Sequence, residues 1–134
     1  MNIQNLSTIR IQNQIQAKII NFLVDEGPKN QWLQGSGFKI YVRKSKRCPN
    51  NILVSCFDLA AIEFDEKLRE HGILTELLHW LIDELTKYKF DAIFVECVVS
   101  KRLGEFLEKS GFVAFPEYPN CYFFVLQNET RVFD

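Results

Sequence analysis

One stretch, Leu59–Leu85, constrains this chain more than any other. It reads LAAIEFDEKLREHGILTELLHWLIDEL. A run of β-prone residues reaches Phe64, and a charged turn, Asp65–Lys67, follows it. After Arg69-Glu70-His71-Gly72 comes a helical pattern, with Ile73, Leu74, Leu77, Leu78, Leu81, Ile82 and Leu85 on one face. A strand that enters a helix through a glycine-bearing turn leaves the first N–H groups of the helix free. With the helix dipole behind them, those groups suit an anion such as a pyrophosphate.

The segment Arg69–Leu74 resembles the acyl-CoA pyrophosphate loop of the GNAT (GCN5-related) N-acetyltransferases, whose pattern is Arg/Gln-x-x-Gly-x-Gly/Ala. Arg69 and Gly72 match it, and Leu74 stands where the family has a small residue. A second segment, Val98–Phe112, is similar to the family's strand-helix-strand step, Asn-x-x-Ala-x-x-Leu-Tyr-x-Lys-x-Gly-Phe. Lys109, Gly111 and Phe112 match, while Ser100 replaces the Asn, Leu103 the Ala and Leu107 the Tyr. The resemblance spans roughly residues 38–126, with an N-terminal part shorter than the family norm.

The flanking segments supply the rest of the expected fold. Ile11, Ile15, Ile19, Phe22 and Leu23 share a helical face within residues 9–26, and Gly27-Pro28 ends that helix. Lys29–Gly37 reads as a loop holding Trp32, whose safer role is packing at the core edge. Phe38–Val42 alternates as a half-buried strand, and the cationic run Arg43–Arg47 continues it. A turn at Cys48–Asn51 returns the chain along Ile52–Phe64 as the second arm of a hairpin. Asp91–Val99 is a nearly continuous apolar strand suited to a central place. Ser100 caps a helix over Lys101–Ser110, Gly111 ends it, and Phe112–Phe115 and Cys121–Leu126 are the last strands. The expected class is α/β: one domain over residues 1–134, a mixed, mostly antiparallel twisted sheet with flanking helices.

Composition excludes several alternatives. The net charge of -1 argues against bulk attraction to nucleic acid or anionic membranes. No apolar run approaches the roughly 18 residues of a membrane span, and the polar start lacks a signal-peptide pattern. The cysteines Cys48, Cys56, Cys97 and Cys121 have no C-x-x-C spacing and read as free thiols of a cytoplasmic protein, with no metal site.

The resemblance implies acetyl transfer from acetyl-CoA to an amine. It places the cosubstrate on Arg69, Glu70, His71, Gly72, Ile73 and Leu74, with Ser100 close by. It assigns the thioester carbonyl to a backbone N–H of the strand segment Ile62, Glu63 and Phe64. The family's general base, eleven residues before the loop's first residue, falls on Asp58; regular alternation puts Asp58 on the side of Ala60, Ile62 and Phe64, with Glu63 opposite. Glu63 and Glu96 are the competing carboxylates. The usual acid is absent at Leu107, which leaves Tyr122, Tyr118 or solvent to protonate the leaving thiolate. The expected partners are an amine-bearing small molecule or protein, without nucleic acid or membrane, and a homodimer is left open. Two other readings stand beside this one: a GNAT-like interaction module without catalysis, and a small nucleic-acid binder using Lys39–Arg47 with Tyr41.

Overall fold

The computed structural model describes residues 3–48, 51–69, 72–96, 98, 100–115 and 117–126, with side chains from Leu6 onward. The elements run α1 (Ile3–Val24), β1 (Asn30–Gly35), β2 (Phe38–Arg47), β3 (Val54–Phe64), α2 (Ile73–Glu84), β4 (Ala92–Val95), α3 (Lys101–Lys109), β5 (Val113–Ala114) and β6 (Tyr122–Val125). The strands form one six-stranded sheet in the order β1-β2-β3-β4-β6-β5. Only β3 and β4 run parallel; the other neighbours are antiparallel. The parallel pair follows from the α2 crossover, because a parallel neighbour cannot be reached by a tight turn.

All three helices contribute to one core. Ile11, Ile15, Ile19, Phe22 and Leu23 of α1 meet Leu77, Leu78 and Leu81 of α2, and Leu107 of α3 joins them. Against this cluster the sheet presents Ile40, Val42, Phe57, Leu59 and Ile93. The expected inward face of α1 is therefore correct, and the helix starts earlier than its apolar pattern does. A smaller cluster of Cys56, Ala92, Phe94 and Phe115 lies on the other face of the sheet, and no helical residue joins it.

Three expectations about strands need correcting. Residues 30–35, read as a loop, are β1, paired along its whole length with β2. Only Leu33 of that strand is buried, so a polar edge strand left no apolar alternation to detect. Trp32 does not pack into the core: it is 44% exposed on the helix-free face, over Tyr41 with ring centroids 4.9 Å apart. The expected strand Asp91–Val99 is short, ending at Val95. The apolar residue Val98 is buried without being in a strand.

The third correction concerns β3. Tyr41 pairs with Ala61 and Val42 with Leu59, so Ala60 is an extra residue, a β-bulge. Alternation inverts there. Phe57 and Leu59 face the helices before the bulge, and Ile62 and Phe64 face them after it. Asp58 therefore lies opposite Ile62 and Phe64. Glu63 shares its face with Asp58, because their cross-strand partners Lys39 and Arg43 lie on one side of β2.

Candidate active site

The sheet opens where β3 and β4 part. Their ladder runs from Cys56–Ala92 to Leu59–Val95, and the Glu96 N–H closes it by donating to the Leu59 carbonyl at 3.0 Å. Beyond Leu59, the β4-side edge of β3 has no strand partner among the described residues. An unpaired strand edge offers backbone groups to an extended ligand.

Next to this opening lies a cavity of about 460 Å³ lined by Phe64, Leu68, Arg69, Gly72, Ile73, Leu74, Thr75, Ser100, Arg102, Leu103 and Phe106. It joins the end of β3, the start of α2 and one flank of α3. Gly72 is the N-cap of α2 with φ 75° and ψ 12°, and no side chain caps that helix. The Glu76 N–H donates to the Gly72 carbonyl, while the N–H groups of the first turn lie before that bond and point out of the helix. A Cβ on Gly72 would meet nothing within 4 Å. The glycine is thus required by its left-handed backbone, and the space above it is open to a ligand. Several uncapped donors, a dipole and an open cradle fit a pyrophosphate.

Arg69 is exposed, and its Nε donates to the Phe64 carbonyl at 3.1 Å, which holds the guanidinium beside the cavity. Ser100 lines the same cavity while its Oγ accepts from the Leu103 N–H at 3.2 Å, so the hydroxyl is an N-cap first. Ile73 is buried, and Leu74 is half-buried against the core at the cavity wall. Glu70 and His71 lie outside the described residues. Ile62 and Phe64 lie on the unpaired part of β3; Glu63, beside them, turns to the helix-free face. Thr75 and Arg102 were missed as lining residues. Their signal was available, since Thr75 is in the first turn of α2 and Arg102 in the first turn of α3.

The Asp58 side chain is fully buried. Its Oδ1 accepts from Ser45 Oγ at 2.9 Å, and its Oδ2 accepts from Arg43 Nε at 3.2 Å and Arg47 Nη2 at 3.0 Å. Both arginines also reach Oε1 of Glu96. Of the ways a carboxylate can sit in so apolar a strand, this one is the ion pair across the hairpin: Arg43 is the direct cross-strand partner of Asp58. Such saturation suits an anchor for two cations. The guanidinium carbon of Arg47 also lies over Phe94, 3.7 Å from the ring centroid.

Tyr122 of β6 points toward α3. With Val98, Ser100, Gly104 and Asn120 it lines a second cavity of about 270 Å³, and Ser100 borders both cavities. Tyr118 is on the helix-free side, half exposed and stacked on Phe115. Leu107, at the family's tyrosine position, is fully buried core. Among the described residues no group of three or more His, Cys, Asp or Glu could hold a metal ion. No described helix is long and apolar enough to cross a membrane.

The fold recurs in known structures. The mutant AtaT toxin bound to the C-terminus of the antitoxin AtaR and acetyl-CoA aligns with a TM-score of 0.55 at 17% identity, over 67% of this chain and 59% of that one. The chain has the GNAT fold. AtaT complexed with acetyl-methionyl-tRNAfMet aligns with a TM-score of 0.52 at 14% identity, over 66% of this chain and 62% of that one. The KacTA–DNA complex aligns with a TM-score of 0.51 at 14% identity, over 67% of this chain and 58% of that one. The matched GNAT chain thus spans less than two thirds of the length of each of these three proteins. No protein-family model matches the sequence, and no curated protein does.

The expectation that nucleic acid plays no part is corrected by these likenesses. The fold occurs in complexes with tRNA and with DNA, so a net charge near zero does not exclude nucleic acid for a GNAT chain. Net charge averages over faces, whereas binding responds to the local arrangement of charge. The N-terminal part holds one helix, α1, before the sheet, and the segment read there as a loop is the strand β1.

Proposed function

We propose that this chain is an acetyl-CoA-dependent N-acetyltransferase. The observation that carries the reading is the conjunction at Gly72: an uncapped helix start, a left-handed glycine and an open cavity beside the parting of β3 and β4. The N–H groups at the start of α2 would hold the pyrophosphate, with Arg69 and Arg102 at the rim adding charge. The unpaired edge of β3 at residues 61–64 would hold the pantetheine and give an N–H to the thioester oxygen as charge develops there.

Transfer forms a bond from the acceptor nitrogen to the acetyl carbon and breaks the carbon–sulfur bond, whose electron pair goes to sulfur. Tyr122 would give that sulfur a proton, a role supported by its cavity sharing Ser100 with the cosubstrate cavity. The proton shed by the nitrogen would leave on the other face of the sheet, which no described helix covers. That open face suits an amine carried on a large acceptor. The likeness to AtaT in complex with acetyl-methionyl-tRNAfMet supports an acceptor amine borne by RNA over one on a small metabolite.

Calorimetry with acetyl-CoA tests the reading. Binding is expected, with a stabilisation of about 2.7 kcal/mol at a ligand concentration near 100 times Kd. The absence of both heat and stabilisation at millimolar acetyl-CoA would overturn it in favour of a non-catalytic interaction module.

A further inference from the structure

On the helix-free face, directly beside the parting of β3 and β4, lies a cavity of about 400 Å³ lined by Arg43, Ser45, Arg47, Phe94, Glu96 and Tyr118, among others. Glu96 is its only carboxylate among the described residues. It is also the residue whose N–H makes the last bond between β3 and β4. Its backbone therefore marks the apex at which an acyl group between the strands would end, and its side chain, 20% exposed, faces the open side.

The surroundings of Glu96 form two tiers. Buried Asp58 fixes Arg43 and Arg47, and those two guanidinium groups converge on Oε1 of Glu96. Its Oε2 takes no hydrogen bond from any described residue. A carboxylate has about four acceptor sites, so the outer oxygen retains capacity for an N–H donor. The arginines hold it in place. A fixed carboxylate oxygen with spare acceptor capacity suits a group that orients an amine.

We infer that Glu96, not Asp58, receives the acceptor amine, at an acceptor subsite formed on the open face by Glu96 and the Arg43–Arg47 pair. The inference rests on the acetyl-CoA reading, and its test separates the two. S-(2-aminoethyl)-CoA carries an ammonium three bonds from sulfur, close to the acceptor's place; S-propyl-CoA is its neutral counterpart. The ammonium analogue is expected to bind about 10-fold more tightly at pH 7. Glu96→Gln should remove that preference and leave the Kd of S-propyl-CoA unchanged. Glu96→Asp should retain part of the preference. In the native protein the preference should vanish as pH rises past the amine's pKa, near 10. Equal affinity for the two analogues, or a preference that survives Glu96→Gln, overturns the subsite and leaves the cosubstrate reading standing. Binding of neither analogue overturns both.

Discussion

The hydroxyl of Tyr122 occupies the space where a side chain on Gly104 would begin: a Cβ built there comes within 2.9 Å of that oxygen. Glycine inside a helix ordinarily costs about 1 kcal/mol relative to alanine. Gly104→Ala should nevertheless fail to raise the melting temperature, because the tyrosine must move. With Tyr122→Phe added, the nearest remaining ring atom is 3.5 Å away, so the double variant should regain the helix benefit. A thermal-melt cycle of the four forms reads the coupling. Tyr122→Phe alone should lower kcat at least 10-fold with little change in KM for acetyl-CoA; an unchanged kcat would remove Tyr122 from the reaction.

Substitution at Gly72 separates backbone strain from ligand contact. Its φ of 75° costs a side-chain-bearing residue about 1–2 kcal/mol, although the space around it is empty. Gly72→Val should weaken acetyl-CoA binding 10-fold or more, since the valine fills the cradle as well as straining the turn. Gly72→Ala should share most of the loss in melting temperature and less of the loss in affinity. Calorimetry and melting curves on both variants give the comparison, and equal Kd values for all three forms would mean that the turn does not hold phosphate.

Removing Asp58 leaves two guanidinium groups converging on a fully buried site. Loss of one partner from a buried pair typically costs about 3–5 kcal/mol, and Asp58→Ala should fall in that range. Urea denaturation at pH 7 measures it. A loss under about 1 kcal/mol would mean that Glu96 alone holds the two arginines.

The thiols should differ sharply in reactivity. Burial first, and then the Asp58 charge, push the Cys56 thiol up to about 11, against a smaller opposing effect of Arg47. Cys48 is exposed. Iodoacetamide at pH 8 should label Cys48 in the folded protein and spare Cys56, as read by peptide mass. The raised value also sets a sign. The folded state favours the protonated thiol, so its contribution to stability is complete below the ordinary value of 9.0 and is lost as pH rises toward about 11. Cys56→Ala should therefore flatten the fall in stability between those values.

Much of the site was legible because it depends on local patterns. The apolar stripe from Ile73 to Leu85 fixed α2, and the glycine before it fixed the cradle. The cap at Ser100 and the left-handed Gly111 were equally local. What stayed hidden depends on pairing. β1 owes its existence to β2 and to one buried leucine. The partners of Asp58 lie on a neighbouring strand, and Glu96 gains significance only because the ladder happens to end at its N–H. Arg43 and Arg47 read only as part of a cationic run that continues a strand, although both guanidinium groups are drawn inward by buried charge.

Alternation along a strand is a wave of period two, and Ala60 shifts its phase by half a wavelength. The two halves of β3 must therefore be matched to the sheet separately: one half sets Phe57 and Leu59 inward, the other Ile62 and Phe64. Pairing Ala60 in a regular ladder would turn over either the hairpin end near Arg47 or the ligand end near Phe64. Deleting Ala60 would merge the two halves into one regular register that keeps all four inside. Counting residues back from the loop to find a functional carboxylate thus crosses a dislocation, and arrives on the opposite side of the sheet from the one it set out on.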